Sequence, residues 1–323
     1  MNSSDSAASP GVSDASQHAA GTAVSDHSTA QQTMWSELSL VGVAFIWGIN
    51  IPIMKNGLDQ MNWYGLNAIR LVFSASVLAF LGWREFRGGT RPAKTLKKSH
   101  VFAYAVIVSG LYQFLFLLGI SRTTSANTSL IISTIPMWTA LAARVFLKEK
   151  LRPLAWFALT IAFVGTVVVA LQKTGGDQHQ QSLIGNLCII GAALGWSAGT
   201  VISRPLLKSI SPMQLSAWSA TIALPFHLAV AAPWLSQSVQ RAAKPELLAI
   251  LLYSGVFSTG LALPMWSFGV RHSGAARASA FQNLVPLIAI ASAWLIRGES
   301  VGWAQLAGGG MIIGGLVLIR MVR

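Results

Sequence analysis

The sequence predicts an all-α integral membrane protein with ten transmembrane helices, arranged as two inverted repeats of five helices. Apolar residues make up 53% of the chain and charged residues 10%, and the mean hydropathy is +0.56, which excludes an ordinary soluble domain. The chain also repeats itself. A shift of residues 119–151 by about 150 positions superimposes four landmarks: Gly119 on Gly269, Ser129 on Ser279, Pro136 on Pro286, and Glu149 on Glu299.

The loops after these two glutamates differ in charge, which indicates that the repeats are inverted. Lys150 and Arg152 follow the first glutamate, whereas Ser300 and Gly302 follow the second. Because positive charge marks the cytoplasmic side of a membrane protein, the two loops are expected on opposite sides of the bilayer. Inverted apolar repeats are typical of secondary transporters, whose solute site lies between the halves.

Ten apolar runs give the predicted helices in chain order. Each is close to the roughly 20 residues that cross about 30 Å of hydrocarbon as a helix. The runs are continuously apolar and do not alternate, which favours helices over a barrel. They cover residues 36–55, 63–83, 101–120, 125–147, 153–171, 183–203, 212–232, 247–270, 275–297 and 302–321.

The distribution of Lys and Arg sets the predicted orientation. With the N-terminus inside, the loops after helices 2, 4, 6 and 8 and the C-terminal tail carry 15 of these residues, and the opposite loops carry 6. This bias predicts that both termini are cytoplasmic. The net charge of +13 is then a topology signal and indicates no nucleic-acid partner, although the basic run 84–98 could contact anionic lipid heads.

Composition also predicts the domain organisation. Residues 1–33 are polar, lack Lys and Arg, and read as a disordered cytoplasmic tail. Residues 34–171 form the first repeat, 172–182 a polar linker on the outer side, and 183–323 the second repeat. The single cysteine, Cys188, excludes an internal disulfide and a cysteine metal site. We therefore expect no metal and no cofactor. The expected partners are a small-molecule solute and membrane lipids, and a homodimer is possible.

Ionisable residues within membrane spans are candidates for function because they are costly there. Arg70 follows the aromatic pair Trp63–Tyr64 by two helical turns, roughly 10 Å inside the outer boundary. It could face a central cavity and bind a carboxylate or phosphate, or it could snorkel or join two helices. His227 is a candidate proton site, although a neutral packed histidine is the stronger interpretation. No Asp or Glu lies mid-span, so the sequence does not support proton coupling through a buried acid.

Prolines and polar residues recur at equivalent points of the two repeats. Pro136 and Pro286 are predicted to kink the middle of their helices and to act in gating, because each removes a backbone hydrogen bond. Ser133 in the first copy, and Gln282 and Asn283 in the second, lie beside these prolines. They form either part of a solute site or helix–helix hydrogen bonds. Glu149 and Glu299 are predicted to cap the helix that follows each of them.

Aromatic and amide residues complete the predicted substrate site. Trp47 and Trp196 correspond at an offset of 149 and both fall mid-span, unlike the interfacial tryptophans common in membrane proteins. Further candidates within the spans are Asn50, Tyr112, Gln113 and Trp266. A cavity with aromatic and amide walls and one arginine suits a small amphipathic solute. The chain has no HExxH or GxxxxGK[ST] motif and no clustered Cys, His and Asp set, so it is not predicted to be an enzyme.

Two five-helix copies, each with a WG or WS pair in its first helix, resemble the EamA family of the drug/metabolite transporter superfamily. The stretch SRTTSANTSLIISTIPMWTALAARVFLKEKLRPLAWFALTIAFVGTVVV carries the most specific part of this resemblance. Arg70, in NAIRLVFS, is similar to an arginine that the family often carries in its second helix. The second copy departs from the pattern, because Gln282 and Asn283 precede its proline where apolar or small residues are common.

The resemblance implies a ten-helix fold in a bacterial inner membrane, with a central cavity between the halves, and export of amino acids or related metabolites. Together with the inverted repeat, it predicts a secondary exporter that works by alternating access. Transport of a drug, a nucleotide sugar or another solute is the first alternative. A non-transporting membrane sensor or scaffold is the second, and it would have a solid core between Trp47, Arg70, Gln113 and Gln282. An intramembrane enzyme is disfavoured, since only His227 and scattered Ser and Thr are available.

Overall fold

The computed structural model describes residues 13–146, 153–171, 177–274, 278 and 281–322, and these residues form helices joined by short turns. The helices are α1 (Ser13–Gln60), α2 (Trp63–Arg87), α3 (Lys98–Arg122), α4 (Ser125–Ile132), α5 (Ile135–Phe146), α6 (Pro153–Ala170), α7 (Asp177–Leu206), α8 (Pro212–Ala231), α9 (Leu235–Ala242), α10 (Pro245–Ser273), α11 (Leu284–Arg297) and α12 (Trp303–Val322). The prediction of an all-helical protein is confirmed.

The predicted count of ten full-length spans is not confirmed. Seven segments in the described part of the chain are long and apolar enough to cross a bilayer: Met34–Gln60, Trp63–Arg87, Lys98–Arg122, Ser125–Phe146, Ser182–Leu206, Pro212–Ala242 and Pro245–Ser273. Two shorter apolar helices, Trp156–Val168 and Leu284–Arg297, lie in α6 and α11. The ninth predicted helix, 275–297, differs because α11 begins only at Leu284.

The first helix extends further towards the N-terminus than predicted. Helix α1 begins at Ser13, so residues 13–33 are helical where the sequence predicts a disordered tail. The segment from Ser13 to Thr33 has no proline and contains alanine and glutamine, which form helices readily. The apolar span itself begins at Met34. Residues 1–12 lie outside the described part of the chain.

The fourth predicted helix is broken before its proline, which corrects the prediction of a mid-helix kink. Helix α4 ends at Ile132, and α5 begins at Ile135 after a turn at Ser133 and Thr134. Pro136 therefore lies in the first turn of α5, where its missing N–H would have had no partner in any case. Pro286 lies likewise in the first turn of α11, which follows a turn at Gln282 and Asn283. The discontinuity recurs at equivalent points of the two repeats.

A second symmetric irregularity lies in α3 and α10. Residues Ala105–Tyr112 of α3 and Tyr253–Leu261 of α10 are π-helical, and the two segments are about 148 positions apart. Short π-helical segments often occur at functional sites because they turn side chains off the regular helical positions. Both segments carry side chains into the central cavity described below.

Helices of the first half pack mainly against helices of the second half. Helix α1 lies along α10 and α11, α2 lies along α8 and α10, and α3 lies along α7. The last helix, α12, lies along α6. Hydrogen bonds also join α1 to α10: the Ser39 hydroxyl donates to the Met265 carbonyl over 3.0 Å, and the Tyr253 hydroxyl donates to the Ile46 carbonyl over 3.1 Å. The core therefore lies between the two halves.

Two glycines that the repeat superimposes bring α6 and α12 into close contact. A Cβ on Gly165 would lie 2.6 Å from the Gly308 carbonyl oxygen, and a Cβ on Gly315 would lie 2.6 Å from the Ala158 carbonyl oxygen. Both contacts are with backbone, which cannot move aside as a flexible side chain can. Small residues at such positions allow membrane helices to approach closely.

We predict that Gly315→Leu destabilises the protein and that Gly314→Leu does not. The larger side chain at position 315 must push α12 away from α6, and overpacking of this kind costs about 1–3 kcal/mol. Gly314 is the matched control on the same helix, because it is exposed and a Cβ there meets no atom within 4 Å. Thermal unfolding of the purified variants in one detergent measures the difference. Equal midpoints for the two variants would contradict the close α6–α12 contact.

Candidate functional site

A cavity lies between the two halves and has an empty volume of about 640 Å³, counting the part that is open to solvent. Fifteen residues from α1, α2, α3, α7, α10 and the segments around the two helix breaks line it. The lining includes seven of the ten residues predicted to bind substrate: Trp47, Asn50, Arg70, Tyr112, Gln113, Trp196 and Gln282.

The other three predicted binding residues lie outside the cavity lining. Trp266 packs against the rings of Trp47 and Trp196, which do line the cavity. The Ser133 hydroxyl donates to the Leu130 carbonyl over 2.6 Å, so its one donor is used at the end of α4. Asn283 is half-buried beside Gln282, and its Oδ1 has no hydrogen-bond partner in the described part of the chain.

Arg70 is the one charged residue among those that line the cavity, and it is held by three neutral oxygens. Its Nε donates to Asn67 Oδ1 over 3.1 Å, Nη1 to Thr259 Oγ1 over 2.9 Å, and Nη2 to Gln113 Oε1 over 2.5 Å. These contacts join α2 to α3 and α10. The side chain is 2% exposed, so the guanidinium is fixed and does not snorkel to the membrane boundary.

The charge of Arg70 has no carboxylate partner within 4 Å among the described residues. A guanidinium has five N–H donors, and the three hydrogen bonds above leave one N–H on each Nη. A buried charge is costly unless a partner of opposite charge offsets it. The site is therefore suited to an anionic group, and arginine binds a carboxylate or phosphate through two parallel hydrogen bonds.

His227 contacts Asn67, and Asn67 in turn accepts a hydrogen bond from Arg70. The histidine Nε2 lies 2.8 Å from the Ser109 carbonyl oxygen, and its Nδ1 lies 3.1 Å from Asn67 Nδ2. Because Asn67 Oδ1 accepts from Arg70, the amide turns its NH₂ group towards the histidine. The histidine then carries its proton on Nε2 and accepts on Nδ1, as the neutral tautomer does. This geometry favours the packed neutral histidine over the proton site.

Three aromatic rings, those of Trp47, Tyr112 and Trp196, form one wall of the site and connect the two repeats, and the Trp266 ring packs against two of them. The ring centroid of Trp47 lies 5.1 Å from that of Trp196 and 5.7 Å from that of Trp266. The Tyr112 ring lies 4.9 Å from Trp196. The Trp47 indole N–H donates to the Ser258 carbonyl over 2.9 Å, which fixes that ring against the π-helical segment of α10. Such edge and tilted contacts are favourable for aromatic pairs.

Two amide oxygens in the cavity lining lack a hydrogen-bond partner. Asn50 Oδ1 and Gln282 Oε1 are buried and make no hydrogen bond within the described ranges. Leaving a buried acceptor unpaired costs about 1–3 kcal/mol, so native structures rarely do so without a reason. Asn50 belongs to α1 of the first repeat, and Gln282 precedes α11 of the second. Both repeats therefore contribute an unpaired amide.

Asn67, Ser258 and Thr259 belong to the site and are not predicted from the sequence. Thr259 had a detectable signal, because it corresponds to Ser109 at the repeat offset of 150 and both residues lie in the π-helical segments. Asn67 lies one turn before Arg70 on α2, which places the two side chains on one face. No group of three His, Cys, Asp or Glu side chains that could hold a metal is found in the described part of the chain.

A polar cluster joins the two repeats at one end of the bundle. Arg297, at the end of α11, contacts Asp59 Oδ2 over 2.8 Å and Glu299 Oε1 over 2.7 Å. The Glu299 carboxylate accepts from the Ser125 backbone N–H over 3.1 Å and from the Ser125 hydroxyl over 3.0 Å. Glu299 therefore caps α4 of the other repeat and not, as predicted, the helix that follows it. Glu149 lies outside the described residues.

Comparison with known proteins gives relatives over most of the chain. The chain is 28% identical over 287 residues to the probable amino-acid metabolite efflux pump of Salmonella typhimurium, and the match covers 85% of this chain and 91% of that protein. It is 24% identical over 275 residues to the uncharacterized transporter YoaV of Bacillus subtilis, covering 82% and 89%. It is 25% identical over 290 residues to the probable terminal-alkyne amino-acid exporter of Streptantibioticus cattleyicolor, covering 87% and 92%.

A solved structure and a family model agree with these relatives. One crystal structure matches with a TM-score of 0.61 at 15% identity, covering 88% of this chain and 97% of that chain, which supports the fold alone. The model of the EamA-like transporter family matches residues 34–171 and again residues 183–321. With two matches that together span most of the chain, and with its apolar helices, this multi-pass membrane protein belongs to the EamA-like transporter family.

Proposed function

We propose that this transporter is a secondary exporter of amino acids or closely related metabolites that works by alternating access between two inverted five-helix repeats. The observation that carries the proposal is a buried arginine that has no carboxylate partner among the described residues and lies in a cavity between the halves. Arg70 binds the carboxylate of the solute, and the aromatic wall contacts its apolar part. The names of two relatives, an amino-acid metabolite efflux pump and an amino-acid exporter, support this solute class.

The membrane arrangement in this proposal has ten spans. Seven long apolar segments are joined by the shorter apolar helices in α6 and α11 and by the twenty-residue helix α12. The excess of Lys and Arg in alternate loops supports cytoplasmic termini, and the bacterial relatives support a bacterial inner membrane. The Arg297 cluster then lies on the outer side, where it holds α1 and α4 against the end of α11.

The symmetric helix breaks are the proposed moving parts. Ser133–Thr134 and Gln282–Asn283 interrupt their helices beside Pro136 and Pro286, at the level of the cavity. Residues at helix ends can absorb large changes of φ and ψ, so each half-helix can tilt without loss of its own hydrogen bonds. Broken helices at the midplane of inverted repeats are typical of sites that open alternately to the two sides.

Accessibility of the cavity from both sides of the membrane tests alternating access. In a Cys188→Ala background, Ser258→Cys places a thiol in the cavity lining, and an impermeant anionic methanethiosulfonate probes it in right-side-out and inside-out vesicles. We expect labelling from both sides. Ser254→Cys is the matched control, because Ser254 lies one turn earlier, is fully buried and is not in the cavity lining. Labelling of Ser258→Cys from neither side, or from one side only, would contradict the proposal.

A further inference from the structure

We propose that Asn50 and Gln282 recognise the ammonium group of the solute, so that the cavity selects zwitterionic α-amino acids with uncharged side chains. This inference rests on the proposed function and refines it. Arg70 holds one end of the solute, and one amide from each repeat holds the other. The two amides thereby distinguish an amino acid from an organic acid of the same shape.

The two unpaired amide oxygens are the first reason. Asn50 is 5% exposed and Gln282 is 4% exposed, and both line the same cavity as Arg70. Their Oδ1 and Oε1 atoms have no hydrogen-bond partner among the described residues. An ammonium group brings three N–H donors and a positive charge, so it can satisfy both oxygens at once. Hydrogen bonds to a charged donor are also stronger than those between neutral groups.

The charge pattern of the cavity disfavours the other simple solutes. A second carboxylate could not pair with the two amide oxygens, because both groups are hydrogen-bond acceptors. A cation without a carboxylate would enter a cavity whose one charged lining residue is already positive. A carboxylate without an amine would satisfy Arg70 but leave both amide oxygens unpaired. A zwitterion can pair its carboxylate with Arg70 and its ammonium group with the two amide oxygens.

The rest of the lining indicates the side chain of the solute. Apart from Arg70, the residues that line the cavity are uncharged. Tyr112, Trp196 and Trp47 present aromatic surface, and Phe116 and Ile132 add further apolar surface. A charged side chain would lose its hydration there without a partner. An aromatic or branched aliphatic side chain gains contact instead, so phenylalanine and leucine are suitable probes.

The position of the amides gives the recognition a role in the transport cycle. Asn50 is on α1 of the first repeat, and Gln282 is in the break before α11 of the second. Helices α1 and α11 pack along each other in this structure. An ammonium group held by both amides bridges the two repeats at the break proposed to move.

Competition in a counterflow assay tests the inference. Proteoliposomes are loaded with unlabelled L-phenylalanine, and uptake of radiolabelled L-phenylalanine is inhibited with phenylalanine, phenylpropionate or phenethylamine. The same series on leucine uses isocaproate and isoamylamine. For the wild type we expect the deaminated acid to compete at least about 10-fold more weakly than the amino acid, from the loss of charge-assisted hydrogen bonds. The amine should not compete.

Variants of the amides give the second part of the test. In Asn50→Leu and Gln282→Leu the amino acid should compete more weakly for uptake, because the discriminating hydrogen bonds are lost. Its inhibition constant should then lie within about 3-fold of that of the deaminated acid. Gln214→Leu is the matched control: this buried amide on α8 also has an unpaired oxygen, but it lies outside the cavity lining and outside the helix breaks. It should keep the discrimination of the wild type.

The outcomes separate this inference from the function on which it rests. Counterflow in which the deaminated acid competes as well as the amino acid would overturn ammonium recognition and leave the transporter intact. Unchanged discrimination in both Asn50→Leu and Gln282→Leu would overturn the assignment of these two residues. No counterflow with any carboxylate solute would overturn the proposed function and this inference with it.

Discussion

Arg70→Ala is expected to reduce transport of carboxylate solutes by about 100-fold or more in kcat/KM. Removing one partner of a buried, hydrogen-bonded charge pair costs about 2–5 kcal/mol, and each 1.4 kcal/mol is tenfold. The substitution also leaves Asn67 Oδ1, Thr259 Oγ1 and Gln113 Oε1 without their donor. We therefore expect a loss of both affinity and turnover, measured as initial rates of uptake over a range of solute concentrations.

Two further variants make this result specific. Arg70→Lys keeps the charge but cannot reach two oxygens of the solute with a planar fork, so its transport should lie between that of the wild type and Arg70→Ala. Arg144→Ala is the matched control, because Arg144 is the other arginine within a predicted span and is exposed at the end of α5. It should transport normally. Wild-type kinetics in a folded Arg70→Ala protein would show that the arginine has only a structural role.

His227→Leu is expected to raise KM by about 10-fold, whereas His227→Gln should stay within about 3-fold of the wild type. Leucine leaves the Ser109 carbonyl and the Asn67 NH₂ group unpaired, at about 1–3 kcal/mol for each buried group, and frees Asn67 to turn away from Arg70. Glutamine can donate to the carbonyl and accept from the amide, so it restores the support. Uptake kinetics of both variants measure the difference, with His272→Leu, an exposed histidine on α10, as the control.

The same pair of variants decides between support and proton transfer. Glutamine carries no titratable proton, so a proton carrier at position 227 would be lost in His227→Gln as fully as in His227→Leu. We expect His227→Gln to keep any solute-linked change of internal pH, followed with a trapped fluorescent dye. Loss of that signal with counterflow retained would show that His227 is the proton carrier and that its hydrogen bonds are secondary.

The sequence predicts most of the cavity lining because several of these residues are of types that rarely occur in the middle of a membrane span. Arg70 is rare as a charge within an apolar run, and Trp47 and Trp196 share a position in the repeat that a membrane boundary does not explain. Composition and spacing are sufficient for such residues. Seven of the ten predicted binding residues line one cavity, although their roles stay predictions.

Other parts of the site depend on tertiary contacts that no local pattern encodes. Asn67 and Thr259 are ordinary polar residues until the fold places them against Arg70. A proline inside an apolar run fits a kinked helix and the start of a new helix equally well, so the sequence predicts kinks at Pro136 and Pro286 where the structure has breaks. Glu299 caps α4 from the other repeat, and a sequence distance of 174 residues conceals that pairing.

Counterflow of a radiolabelled amino acid in proteoliposomes, with wild type and Arg70→Ala measured side by side, tests the central claim most directly. The assay does not require the coupling ion to be known, because exchange of internal for external solute proceeds without an ion gradient. The proposed mechanism predicts rapid exchange for the wild type and near-background exchange for a folded Arg70→Ala protein. Background exchange in the wild type for every carboxylate solute would contradict transport through this cavity, and equal exchange in both proteins would contradict the role of Arg70.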